Sequence, residues 1–448
     1  MYRSRIILLI TAFLLFIPAL NGSGAERQVG LTEAINLALK DYHEMRAMKN
    51  SVFAQKEEVD VARSFLLPRL SFEERALRTN NPTMVFSSKL NEGRFSAEDL
   101  NINALNNPGP ISDFQTLVTF EQPIFQRKAF VGLDMAQKEY AALQEDYLRK
   151  SEATALTVAH TYLQVRTAKE TLAVARQAVE DAREHLRIAD LRFTNGLGLY
   201  SDTLRGRTRV TEAEQRVVSA NKNFVLAKRS LGLLLGLEDP VDILEETPDF
   251  AVQDMAYYIA ASQSRRDLRA LKIRWENAKN GIKLADSGYL PTVSVGGAYQ
   301  LNDPQQVFGS SGESWQVMAT LRWDFFDGAN RESKRKKAHY QAAETAEQLN
   351  GLKRFISFKI TEAYLAVDEA GKNADLSRSA VRTAEEGRRL VMARFENSLA
   401  PLVDLLDVQL SLDQARANRV MRENEFRLAV IRLSFESGTI IQDLNLER

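Results

Sequence analysis

The strongest constraint on this 448-residue chain is an internal duplication. RFTNGLGLYSDTLR at 192–205 returns as RFENSLAPLVDLLD at 394–407, a constant 202 positions later. At that offset Tyr162, Leu163 and Val165 align with Tyr364, Leu365 and Val367, and Phe224, Leu226, Ala227, Leu231 and Gly236 with Phe426, Leu428, Ala429, Leu433 and Gly438. No gap is needed anywhere in this span. Further upstream SFLLPRLSF (64–72) parallels SGYLPTVSV (287–295), and NPTMVF (81–86) parallels DPQQVF (303–308), now at an offset of 222–223. The first copy therefore carries an insert, GRFSAEDLNINALNNPGP, whose Asn, Gly and Pro content reads as a long loop. A repeat of this length duplicates a supersecondary unit. Each half runs short helix, strand, loop, strand, long helix, tip, return helix.

Heptad spacing defines the helices. Val165, Leu172, Val179, Leu186 and Phe193 make one row, and Ala168, Ala175, Ala182 and Ala189 the other. A seven-residue apolar period holds one seam toward a neighbour and imposes a left-handed supercoil. Beyond the tip the seam resumes with Val210, Val217, Phe224 and Leu231 against Ala213, Ala220, Ala227 and Leu234. From Ala129 to Phe193 there is no Pro and one Gly, Gly132, so a helix on the order of 100 Å is expected. The helices alone fit a rod-like spacer equally well.

The strands separate the alternatives. In LPTVSVGGAYQL, Val293, Val295, Gly297, Tyr299 and Leu301 share one face. In SWQVMATLRWDFF, Trp315, Val317, Ala319, Leu321 and Trp323 do so, with Gln316, Met318, Thr320, Arg322 and Asp324 opposite. Phe114, Thr116, Val118 and Phe120 repeat the pattern, and LSFEERALR (70–78) repeats it weakly, being crowded with charge. Alternating strands of about ten residues with terminal aromatics are the signature of membrane β-strands, apolar toward lipid and polar toward a lumen. Soluble hairpins are the alternative. A sheet in lipid must close on itself, and four strands are too few, since barrels begin at about eight. Three copies give twelve strands and a twelve-helix tunnel, so a homotrimer is the simplest ring that fits.

The N-terminus agrees with export. Arg3 and Arg5 precede an apolar run, Ile6 to Leu20, broken by Pro18 and followed by NGSGA. This reads as a signal peptide, residues 1–25, cleaved near Ala25; as a retained anchor it falls short of the ~20 residues a spanning helix needs. Lys plus Arg equals Asp plus Glu at 59 each, which argues against a nucleic-acid partner. With no cysteine, disulfides, thiolate metal sites and cysteine nucleophiles are excluded. His43, His160, His185 and His339 are scattered and read as solvated helix residues. No Ser/His/Asp set, P-loop or dinucleotide fingerprint occurs, so no enzyme activity, cofactor or metal is expected.

In combination, the duplicated helix–strand–strand–helix plan, the LP before the first strand of each half and the paired tips make the chain similar to the TolC-like outer-membrane efflux family, over nearly the whole mature length. The resemblance implies a mixed α/β membrane protein: a trimeric 12-stranded β-barrel in the Gram-negative outer membrane, four strands per chain, continued by an α-helical coiled-coil barrel through the periplasm. It implies an exit duct of a tripartite efflux or type I secretion system, working with a periplasmic adaptor (membrane fusion protein) and an inner-membrane pump of RND, ABC or MFS type. The tips form the periplasmic mouth in this family. Arg192, Phe193, Gly196, Asp202 and Leu204, with Arg394, Phe395, Asn397 and Leu406, are then the expected docking residues. Asp404 and Asp407, three apart and so on one helix face, are the expected gate: stacked carboxylate rings that narrow the mouth and favour cations. Equally, they fit as helix N-terminal carboxylates favoured by the dipole after Pro401. Many family members hold the mouth with an Arg where this chain has Ala400 and Pro401.

The expected organisation follows. Residues 26–67 are periplasmic helices, and 68–125 a first β-hairpin with an extracellular loop at about 80–113. A long helix, tip and return helix take 126–236, and an equatorial segment 237–256. The second copy has a helix at 257–288, a hairpin at 289–326, and helix, tip and return helix at 327–436, before a tail at 437–448. RESKRKK (331–337) and QRK (126–128) read as solvated helix faces or as contacts to anionic head groups. Two rivals remain: a soluble periplasmic coiled-coil adaptor without membrane strands, and a stand-alone porin, which needs more strands per chain.

Overall fold

A computed structural model describes residues 27–244 and 252–446. The expected signal peptide and part of the expected equatorial segment lie outside the described residues. A short strand β1 (Gln28–Val29) leads into helices α1 (Leu31–Asp41) and α2 (His43–Ser64). The first hairpin is β2 (Arg69–Thr79) and β3 (Ile111–Phe125), with α3 (Pro82–Asn91), a 3₁₀ turn (Ala97–Leu100) and α4 (Ile102–Asn106) between them. Helix α5 (Arg127–Thr194) turns back as α6 (Tyr200–Leu234), followed by the short β4 (Asp242–Ile243). The second half has α7 (Met255–Ser262), α8 (Arg266–Asp286), β5 (Thr292–Asp303), β6 (Gly312–Arg322), α9 (Asn330–Glu396), α10 (Leu402–Ser437) and α11 (Ile440–Asp443).

Helices α5 and α9 are unbroken over 68 and 67 residues, each roughly 100 Å. Gly132, the one residue in α5 that weakens a helix, is tolerated in its second turn. Antiparallel pairs α5–α6 and α9–α10 form the two hairpins, α8 lies between α5 and α9, and α2 packs on α5. The heptad seam is where its spacing puts it. Val165, Leu172, Val179, Ala182 and Ala189 are buried, as are Ala213, Ala220 and Leu231 on the return helix. Alanine in the second row lets the axes approach, so each hairpin stays narrow.

Hydrophobic burial concentrates midway along the hairpins. Here β1 and β4 pair in parallel, Gln28 opposite Asp242. Around them Val29, Ile35, Tyr162, Leu231, Leu235, Ile243 and Ile440 form one buried cluster. Tyr162 is fully buried and donates its hydroxyl to the Leu244 carbonyl. Burial of one such large side chain is worth about 2–3 kcal/mol.

The remaining strands form one antiparallel sheet in the order β2–β3–β5–β6, so β3 and β5 join the two repeats. Register fixes the faces. Leu70, Phe120, Gly297 and Val317 stand in one row across the sheet, and Phe72, Val118, Tyr299 and Trp315 in the next. Val293 and Val295 complete this face, opposite Leu321 and Ala319. The other face carries Ser71, Glu73, Thr119, Glu121, Ser294, Gln300, Gln316 and Thr320. Trp315, Val317 and Leu321 are among the most exposed apolar residues in the protein.

The charge in β2 also finds its place. Glu74 lies in the row of Thr116, Leu301 and Glu313, beyond the outer ring of aromatics, and accepts a hydrogen bond from Thr116 at 2.6 Å. Glu73 and Arg75 point to the polar face. Trp323, Phe325 and Phe326 mark the opposite end of the apolar band, and Trp323 donates to the Tyr289 carbonyl. Arg331, from the basic run, turns back onto the Asp324 and Phe325 carbonyls and ties α9 to the strand end. Neither β2 nor β6 has a partner on its outer edge among the described residues. The loop expected at about 80–113 ends at Pro110, and it is folded: α3, the 3₁₀ turn and α4 occupy most of it.

Candidate functional site

Both tips are built alike because the sequence is duplicated there. α5 is capped by Asn195, whose Nδ2 donates to the Leu191 carbonyl, and α9 by Asn397, donating to the Ala393 carbonyl. In the first tip the Gly196 and Leu197 amides donate to the Phe193 and Arg192 carbonyls; in the second, Ser398 and Leu399 donate to Phe395 and Arg394. Each turn places one residue in the left-handed region, Gly196 at φ 72° and Ser398 at φ 62°. Glycine enters that region freely, whereas a residue with a Cβ does so at a cost of about 1–2 kcal/mol.

The two tips then diverge, and they clasp each other. Arg192 reaches across to the Phe395 carbonyl, donates to Ser398 Oγ at 2.9 Å, and lies over the Phe395 ring, 4.7 Å from its centroid. Phe395 consequently sits at 4% exposure in a small core with Ala189, Leu402 and Leu405. Its repeat mate Phe193 stays 44% exposed and packs on Tyr200, ring centroids 5.3 Å apart. Phe395, expected as a docking residue, is thus buried in the small core between the tips. Arg394 bonds only within its own turn, to the Leu399 carbonyl, and Asn397 serves as a helix cap. Leu406 is half-buried on the same small core. Leu204, Leu197, Leu199 and Leu399 form an exposed apolar rim. Asp202 lines an open cleft of about 400 Å³ between the tips, together with Arg192, Leu199, Phe395 and Pro401.

Asp404 and Asp407 project from the first turns of α10 and are exposed. Asp404 lies in the first helical turn, where the helix dipole favours a carboxylate. Neither carboxylate has an ion-pair partner among the described residues.

Sequence reasoning missed the polar centre just behind the tips. His185 is fully buried, contrary to the expectation of a solvated residue; His43, His160 and His339 are exposed. Its Nε2 lies 3.3 Å from Gln409 Oε1. Gln409 in turn donates to Asp181 at 3.0 Å and Asp413 at 2.9 Å, and accepts from Arg388 at 3.1 Å. Arg209 approaches Asp413 at 3.5 Å and Arg416 approaches Asp181 at 3.8 Å. Four helices, α5, α6, α9 and α10, thus meet in one network. Burial holds the His185 imidazole below its ordinary pKa and raises the Asp413 carboxyl. One signal was available. His185 lies one heptad after Ala178, on the flank of the seam, where a further helix packs.

No helix among the described residues is long and apolar enough to cross a membrane. The family model described as outer membrane efflux protein matches residues 34–237 and 258–439. Outer membrane protein TolC of Vibrio cholerae serotype O1 is 24% identical over 343 residues, 73% of this chain and 78% of the relative. The proteases secretion protein PrtF of Dickeya chrysanthemi is 18% identical over 443 residues, 96% of this chain and 92% of the relative. Among solved structures, the Campylobacter jejuni CmeC outer membrane channel superposes with a TM-score of 0.75 at 15% identity, covering 92% of this chain and 86% of that one. With its two halves spanned by the family model and its fold shared with such channels, the chain belongs to the outer membrane efflux protein family.

Proposed function

We propose that three copies of this chain close into one duct through the outer membrane and periplasm. A single observation carries the reading: one sheet has an exposed apolar face, a polar face opposite and two edges unpaired among the described residues, with α5 and α9 both leaving from the same end. Lipid cannot satisfy a free strand edge. Pairing β6 of one copy with β2 of the next satisfies both and yields twelve strands. The helices continue as a tunnel whose far mouth is the ring of tips.

In this reading the exposed rim of Phe193, Leu197, Leu199, Leu204 and Leu399 is the surface a periplasmic adaptor engages, with Arg192, Gly196 and Asp202 shaping it. Asp404 and Asp407 become two rings of three carboxylates at the narrowest point. Clustered carboxylates concentrate cations and repel anions. In this reading the duct is passive, and an inner-membrane pump sets the direction of export. The soluble-spacer alternative is disfavoured by the family match and the exposed apolar band.

Two measurements test this. Detergent-solubilised protein should have the mass of three subunits. In planar bilayers the channels should be cation-selective, with Asp404→Ala plus Asp407→Ala raising conductance and lowering selectivity by at least twofold. A monodisperse single subunit, or unchanged selectivity in the variant, contradicts the reading.

A further inference from the structure

Between β2 and β3 the chain does not trail into solvent; it folds back over the sheet. Asn81 caps α3 by accepting from the Thr83 and Met84 amides, with Pro82 at its first position. Phe86 meets Phe95 edge to face, centroids 5.0 Å apart. Lys89 pairs with Asp99 at 2.5 Å and holds that carboxyl down to about 2, with the Ser96 amide assisting. Val85 is buried beneath. The loop between β2 and β3 is therefore a folded unit with its own staples.

Its seat on the sheet is specific, and it lies on the polar face. Ser88 donates to Asp113 Oδ2 at 2.9 Å, and Asn302 donates to Asp113 Oδ1 at 2.9 Å. All three are at most 5% exposed. Asp113 and Asn302 share their face with Gln115, Gln300 and Thr119, the side turned away from the apolar band. Next to Asn302 across the hairpin is Gly312, where a Cβ would overlap the Asn91 carbonyl oxygen. Backbone at the end of α3 thus occupies the space a side chain would fill at the outer end of β6. Glu92 follows at once, its side chain fully buried against Arg94, with Oε1 lacking a hydrogen-bond partner among the described residues.

We infer that the loop 80–110 is a lid that folds inward over the outer mouth of the barrel, making a second constriction that excludes bulky solutes arriving from outside. The inference rests on the duct reading, and geometry supports it. Twelve strands ~4.8 Å apart, tilted by ~40°, enclose a ring roughly 24 Å across. Three helices ~10 Å thick, packed as a triangle, need about 22 Å. One α3 from each subunit, seated on the lumenal side, covers that opening. The second repeat, whose β5–β6 turn has no such insert, contributes the seat rather than the cover.

The test uses the full chain, which has no cysteine of its own. Ser88→Cys with Asp113→Cys, oxidised on intact cells, should form an intramolecular disulfide, read as protection of both thiols from alkylation. In planar bilayers, with the inner mouth widened by Asp404→Ala and Asp407→Ala, replacing 83–106 by a short Gly-Ser linker should raise conductance at least twofold. Gly312→Leu, which keeps the whole loop but displaces Asn91, should shift conductance the same way. Cells carrying either lid variant should become several-fold more sensitive to a bulky glycopeptide antibiotic. Free thiols after oxidation, or equal conductance with and without the loop, overturns the lid. Disulfide formation in a protein that makes no channels at all removes the duct, and the constriction with it.

Discussion

His185 holds a neutral imidazole where a solvated one was expected, and the sign of its effect follows from burial. Because its pKa is depressed in the folded protein, the stability it contributes is fully present above its ordinary value near 6.5 and is lost as pH falls below that. Asp413, raised by burial, works the other way: its contribution is present below the ordinary carboxylate value and lost as pH rises. Asp181 and Glu184 favour the imidazolium, Arg388 opposes it, and Arg209 steadies the Asp413 carboxylate. Between roughly pH 7 and 5.5, across the ordinary imidazole range, the His185 contribution is the one lost on acidification. Amide exchange in 181–189 and 405–413, corrected for its intrinsic rate, should quicken several-fold across that window. His185→Gln should flatten the response; if the variant accelerates equally, the network does not sense acid through this ring.

At the scale of elements, the two tips are one design with different terminal residues, and they should respond differently to substitution. Gly196→Ala places a Cβ at φ 72° and should cost about 1 kcal/mol. Ser398→Gly relieves similar strain but removes the acceptor for Arg192, so the two effects should nearly cancel. Thermal unfolding of the solubilised protein, compared across the two variants, checks this; equal losses would mean the turns are energetically interchangeable. Much at this scale was legible beforehand. Heptad rows locate the buried seam, and period-two alternation locates Val293, Val295, Tyr299, Trp315, Val317 and Leu321 on one face. What escaped was anything requiring a third element. Phe395 reads like Phe193 until Arg192 of the other tip covers it. The segment 80–110 reads as loop because its helices, 10 and 5 residues long, are too short to show a period. β2 reads as weak because its charge is distributed by cross-strand register, which no single strand reveals.

At the scale of the whole molecule, the unpaired edges of β2 and β6 have a genetic consequence in the proposed trimer. A ring of identical subunits fails if any one member fails, so damage at an edge is not diluted by healthy copies but spread through them. Co-expression of wild-type chain with an equal amount of a variant carrying proline at Val317 and Ala319, in the strand whose outer edge would pair with the next copy in the proposed trimer, should leave roughly one in eight rings free of the defect. Efflux measured in such cells should fall far below half, as for a dominant allele. A loss of only half would mean that each subunit conducts on its own.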